Sequence, residues 1–107
     1  MPHFVIEYSD PSLATSELME DALATLKDSG LFQPDLIKVR CIRVEDFLIA
    51  PTYQNFAHVT VKMLEGRPQD KKQALGQALY DLTHRYLQPN STLTLEISEM
   101  KKEHYFM

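Results

Sequence analysis

The chain has 107 residues, 44% of them hydrophobic and 24% charged, with a net charge of −4. That is ordinary for one soluble domain with a modest core; the acidic balance and the lack of a basic run speak against nucleic acid as the main partner. Cys41 is the sole cysteine, so no intrachain disulfide can form, and no apolar stretch is long enough to span a membrane. With no positively charged leader ahead of an apolar segment, the expectation is a cytoplasmic protein.

The first element is Pro2-His3-Phe4-Val5-Ile6-Glu7-Tyr8. Phe4, Ile6 and Tyr8 alternate with His3, Val5 and Glu7, which predicts a strand with one mainly apolar face. Ser9-Asp10-Pro11-Ser12 reads as a turn into a helix start. Leu18, Ala22, Leu23 and Leu26 recur at helical spacing up to Ser29-Gly30, where Gly30 suits a left-handed cap. A connection from Leu31 to Leu36 contains Pro34. Ile37 to Phe47, rich in Ile, Val and Phe, predicts a strand, and Ala50 to Asn55 breaks it.

The same order then returns. Phe56 to Leu64 predicts a strand and Glu65-Gly66-Arg67-Pro68 a turn, with Pro68 placed as a first helical residue. Ala74, Leu75, Ala78, Leu79, Leu82 and Tyr86 form a second helical stripe. Asn90 ends it, and Thr92 to Ser98 predicts the last strand, with Leu93, Leu95 and Ile97 alternating. Pro2–Tyr8 aligns with Ala57–Met63, and Cys41–Glu45 with Leu95–Glu99. The chain is therefore read as one domain over 1–107, with repeats at about 2–46 and 56–100. The predicted fold class is α+β: two β-α-β units giving a four-stranded mixed sheet with both helices on one face. The other face is expected to be half-apolar and covered by another subunit; the pattern does not fix how many.

Pro2 stands apart. If Met1 is removed, its nitrogen becomes a free secondary amine, which can act as a general base. The matching residue, Ala57, offers only an internal amide. Taken alone, Pro2 is just a second residue.

Two stretches carry a resemblance. Met63-Leu64-Glu65-Gly66-Arg67-Pro68-Gln69-Asp70-Lys71-Lys72, with Glu96-Ile97-Ser98-Glu99-Met100, resembles the subunit of 4-oxalocrotonate tautomerase. Pro2-His3-Phe4-Val5-Ile6-Glu7 and Phe56-Ala57-His58-Val59-Thr60-Val61-Lys62, followed by Gly66-Arg67, are closer still to 5-carboxymethyl-2-hydroxymuconate isomerase, the duplicated member of the tautomerase superfamily. The resemblance covers nearly the whole chain. It implies a tautomerase-like fold, a homotrimer, an amino-terminal proline as base, arginines that hold substrate carboxylates, and no cofactor or metal. The region Ser9 to Glu17 is shorter than in the family, and Glu103 to Met107 stands where relatives carry a longer tail that builds subunit contacts.

On this reading Pro2 is the base and Arg67 the cation beside the oxygen that gains charge. Arg67 on its own would pass for a surface arginine with one ion pair. Lys38 and Arg40 share one strand face, two residues apart, with Arg43 on the other. One of the two corresponds to the family's second substrate-binding arginine; Arg40 is preferred, because guanidinium pairs bidentately with carboxylate. His3, His58, His84 and His104 lack metal-ligand spacing and read as structural or exposed. Tyr53 and Phe106 are weighed as pocket walls against ordinary packing. The expected activity is ketonisation of 5-carboxymethyl-2-hydroxymuconate, a small polycarboxylate, in aromatic-compound degradation. The alternatives are another keto acid handled by the same Pro2, or a trimeric protein that kept the fold and lost the chemistry.

Overall fold

The computed structural model describes all residues, Met1 to Met107. Its elements run β1 (His3–Tyr8), α1 (Thr15–Asp28), β2 (Lys38–Arg43), β3 (Asn55–Leu64), α2 (Gln69–His84) and β4 (Ser91–Met100), with short 3-10 turns at Pro34–Leu36 and Lys102–His104. The sheet order is β2-β1-β3-β4. β1 pairs in parallel with β2, and β3 with β4, while β1 and β3 meet antiparallel at the centre. Both helices pack on the same face. This is the expected double β-α-β fold.

The alternation in the sequence decides which face is dry. Phe4 and Ile6 from β1, Ala57, Val59, Val61 and Met63 from β3, and Leu18, Ala22, Leu26, Leu75, Leu79 and Leu82 from the helices are all buried. Each large side chain so buried contributes roughly 1.5–3 kcal/mol. α2 lies close to β4 because it carries Gly76 there: a Cβ at that point would stand 3.1 Å from Ile97 Cδ1. Ala74 and Ala78, read as part of the core stripe, are exposed and border a groove between the helices.

β2 is shorter than predicted. Val44 N still donates to Tyr8 O at 2.7 Å, but β1 ends there, so nothing remains for Glu45 to Phe47 to pair with. Glu45 and Asp46 are poor strand formers, and with no neighbouring strand to pair with the segment stays irregular. Phe47 instead packs against Phe56, with ring centroids 5.4 Å apart and the planes tilted by 59°, and Leu48 is fully exposed.

The register exposes the internal symmetry and corrects one alignment. His3 faces Lys62 and Glu7 faces His58, so a two-fold that exchanges the histidines also exchanges Glu7 with Lys62. Ile6 lies beside Cys41 and Val61 beside Ile97. Cys41 therefore corresponds to Ile97, two residues beyond the Leu95 read from sequence. A slip of two keeps every side chain on its face, which is why alternation alone does not reveal it.

The open face is also more polar than expected. His3, Glu7, Lys38, Arg40, His58, Lys62, Thr94 and Glu96 occupy it, with Val5 and Ile42 among them and Phe56, Leu64 and Met100 toward its ends. The apolar alternates of all four strands are used by the helix side.

Candidate active site

Two glycines shape the end of the sheet where the chain begins. Gly30 has φ 71° and closes α1; Gly66 has φ 108° and turns the chain between β3 and α2. Side-chain-bearing residues rarely adopt such angles, so both turns favour glycine. The first sends Leu31 and Phe32 across the sheet end. The second folds Arg67 back toward them.

Arg67 is held there by its surroundings. Nη1 donates to Leu64 O at 2.9 Å and Nη2 to Leu31 O at 3.3 Å. The guanidinium carbon lies 4.8 Å from the centre of the Phe32 ring, a cation–π distance. Its Nε–H is buried with no acceptor in the chain. The ion pairs of the molecule are His58–Glu96 and Lys72–Glu99, so no carboxylate balances Arg67. The plain alternative, a surface arginine with one ion pair, does not describe it. A half-buried cation held in place without a counter-charge is a ready anion site.

A cavity of about 530 Å³ opens beside it, lined by Met1, Leu31, Phe32, Leu36, Leu64 and Arg67 among others. Pro2 is buried next to Met1, and its carbonyl accepts from Lys38 N at 3.1 Å. Pro2 itself does not line the cavity; its neighbour Met1 does, together with Arg67. The chain's amino group, carried by Met1, is held below its ordinary value of 8.0, first by burial and then by the positive charges of Arg67 and Lys38. All three act in one direction: they disfavour the ammonium and favour the neutral amine.

Neither Arg40 nor Lys38 lines this cavity. Arg40 points onto the open sheet face, one pleat from Lys38, and its Nη1 is 3.1 Å from His3 Nδ1. Lys38 Nζ is 3.5 Å from Leu36 O, too long for a strong bond, and neither residue forms an ion pair. Tyr53 and Phe106 do not line the cavity; the walls come from Leu31, Phe32 and Leu36, in the connection after α1. Nothing periodic in the sequence marks Phe32 for this place. The proline in that connection, Pro34, is the one local signal that the chain turns there.

Two other grooves offer less. The one between α2 and β4, about 450 Å³, holds Lys72, already paired with Glu99 at 3.0 Å. The one between the helices carries Lys71 and Asp28 together. No group of three or more His, Cys, Asp or Glu is placed to hold a metal.

The family model for 5-carboxymethyl-2-hydroxymuconate isomerase matches residues 2–106. The chain belongs to this family. Membership places it among isomerases of this type, and the solved structures share its fold. The 5-carboxymethyl-2-hydroxymuconate isomerase of Deinococcus radiodurans R1 superposes with a TM-score of 0.87 at 24% identity, over 99% of this chain and 87% of that one. A 5-carboxymethyl-2-hydroxymuconate delta-isomerase gives 0.83 at 22% identity, over 100% and 87%. A fused 4-OT symmetric trimer gives 0.80 at 13% identity, over 94% and 88%. None of the curated proteins matches the chain significantly. No helix is long and apolar enough to cross a membrane.

Proposed function

We propose that the protein converts 5-carboxymethyl-2-hydroxymuconate to its 2-oxo isomer, with the Pro2 amine as general base once Met1 is removed. The observation that carries the reading is Arg67: a cation without a counter-charge, clamped by two carbonyls and an aromatic ring, at a cavity beside Pro2. With Met1 attached, the Pro2 nitrogen is an amide and cannot accept a proton. Without it, the amine sits one residue deeper than the Met1 amine, at a buried position. The burial and the charges that depress the Met1 amine act there too and favour the neutral form of the free amine.

The steps follow from these groups. The amine takes the proton of the substrate's 2-hydroxyl. The oxygen's electrons form the 2-oxo carbonyl, the conjugated double bond shifts, and the ammonium returns the proton to a carbon of the chain. Negative charge on the oxygen between these steps is stabilised by Arg67, whose position is fixed beforehand. Arg40, or Lys38 beside it, holds a remote carboxylate. No cofactor enters, because the base, the cation and the conjugated substrate suffice for proton transfer.

We place the reaction in the degradation of aromatic compounds in the cytoplasm, and read the working form as a homotrimer. The likeness in fold to a fused 4-OT symmetric trimer supports that assembly. The test is an ultraviolet assay with 5-carboxymethyl-2-hydroxymuconate on protein shown by mass spectrometry to begin at Pro2. Conversion to the 2-oxo isomer is expected; no turnover overturns the assignment.

A further inference from the structure

The residues after β4 return to the beginning of the chain. Glu65 N donates to Met100 O at 2.9 Å, and Lys102 N donates to Glu65 Oε2 at 3.0 Å, which starts the turn Lys102–His104. The turn delivers Tyr105, half-buried, onto the open sheet face with its hydroxyl 2.9 Å from His3 Nε2. The two rings meet edge-on, 73° apart in plane. The other nitrogen of His3, Nδ1, lies 3.1 Å from Arg40 Nη1.

The chemistry of these partners fixes the imidazole. A guanidinium only donates, so Nδ1 must be the unprotonated acceptor. The ring proton then sits on Nε2 and is donated to the tyrosine oxygen, which can accept it. We propose that His3 is a positioning residue: pinned by Tyr105 as the Nε2–H tautomer, it accepts from Arg40 and fixes that guanidinium at the Pro2 end of the sheet. The proposal rests on the reading of Arg40 as a carboxylate clamp. A long side chain on an edge strand, with no acidic partner, otherwise samples many rotamers, and ordering it costs substrate affinity.

The surroundings keep the ring neutral. Lys38 and Arg40 face it from β2, Lys62 from β3, and the chain's amino group from its own strand; Glu7 is two pleats away on β1, and Tyr105 covers it from the tail. Burial, then the charges of Arg40, Lys38, Lys62 and the amino group, lower its pKa from the ordinary 6.5. Protonation would place a hydrogen on Nδ1 facing the guanidinium. The contact to Arg40 would be lost, and Arg40 would be set free from its place.

Two replacements separate the halves of the relay. In His3→Asn the amide oxygen stands near the position of Nδ1 and can still accept from Arg40. In His3→Gln the amide reaches the position of Nε2 and toward Tyr105, but nothing accepts at Nδ1. The experiment combines long-range 1H–15N NMR of His3 with steady-state kinetics of both variants, Tyr105→Phe and Arg40→Ala, each checked for native circular dichroism. The expected results are an Nε2–H tautomer, KM within about twofold of wild type for His3→Asn, and KM raised about 3- to 10-fold at unchanged kcat for His3→Gln, as for one lost hydrogen bond. Tyr105→Phe should raise KM less and shift the His3 titration. An Nδ1–H tautomer overturns the proposal. So does an unchanged KM in His3→Gln where Arg40→Ala raises it. If Arg40→Ala is itself silent, the clamp fails and the positioning role with it; an Nε2–H signal then shows that the contact was read correctly and the clamp was not.

Discussion

His3 and His58 hold matching places in the two repeats, on the same sheet face, and their neighbourhoods are opposite in charge. His3 lies beside Lys38 and Lys62 and bonds to Arg40. Under the internal two-fold those positions become Thr94, Glu7 and Glu96, and His58 bonds to Thr94 at 2.6 Å and to Glu96 at 2.8 Å. The hydrogen bond from His58 is the main cause holding the Glu96 carboxyl below its usual range. One end of the face gathers cations around its histidine; the other pairs its histidine with a carboxylate. The same contrast divides Pro2 from Ala57. The two repeats share a backbone, and their charges differ at positions outside the core.

The largest effect that sharpens this contrast is expected at Arg67. Arg67→Ala should lower kcat/KM by about 100- to 1,000-fold and lower kcat as well, because the contact strengthens as charge develops. Arg67→Lys keeps the charge but cannot hold both carbonyls, so recovery should be partial. Unchanged steady-state parameters for Arg67→Ala would break the account at its strongest point.

Next is Arg40. Arg40→Ala should raise KM by about 10-fold with a smaller change in kcat, as for a hydrogen-bonded charge that binds ground and transition states alike. Lys38→Ala is the comparison on the same strand. If Lys38→Ala is the damaging change and Arg40→Ala is silent, the cation nearer Pro2 is the clamp.

The pH profile should be smaller in amplitude but sharper in meaning. Burial and the charges of Arg67 and Lys38, which depress the Met1 amine, act at Pro2 as well, so the acid limb of kcat/KM should fall at a pH below the ordinary value of an exposed amino-terminal proline. His3 adds a stability effect of the same sign. Its pKa is lowered on folding, so the unfolded chain takes up the proton first as pH drops. Its contribution is complete above 6.5 and is lost as pH falls from there through the folded-state value. Thermal melts in this range should show Tm falling with acid, and less so in His3→Asn.

The smallest effect is expected at the other end of the sheet. His58→Ala should leave kcat/KM within about twofold, because no cation faces that histidine and no amine can form at Ala57. A large loss there would mean that the two ends are not chemically distinct.

Much of this architecture is legible in the sequence. Period-two alternation in Phe4–Tyr8 and Leu93–Ile97, the helical stripe Leu18–Leu26, and the punctuation at Gly30, Gly66 and Pro68 give the elements and their order. The overrun of β2 past Arg43 comes from reading Val44 and Phe47 as strand formers: Glu45 and Asp46 between them disfavour strand, and β1 ends at Tyr8. The two-residue slip between the repeats is invisible to alternation. At the site, Arg67 is marked by its turn. The Phe32 ring beneath it, and Tyr105 on His3, lie far away in sequence and depend on where two loops land. His3 reads as structural or exposed in the sequence because its partners, Arg40 and Tyr105, stand 37 and 102 positions away and no local spacing marks them.

The central claim is that the chemistry resides in a free amine at Pro2, and one paired measurement bears on it most directly. Protein beginning at Pro2 and protein retaining Met1 would be separated, identified by mass, and assayed with 5-carboxymethyl-2-hydroxymuconate under identical conditions. The account predicts turnover from the Pro2-terminal form and none above background from the Met1-retaining form, whose proline nitrogen is an amide. Equal activity in the two forms would contradict it.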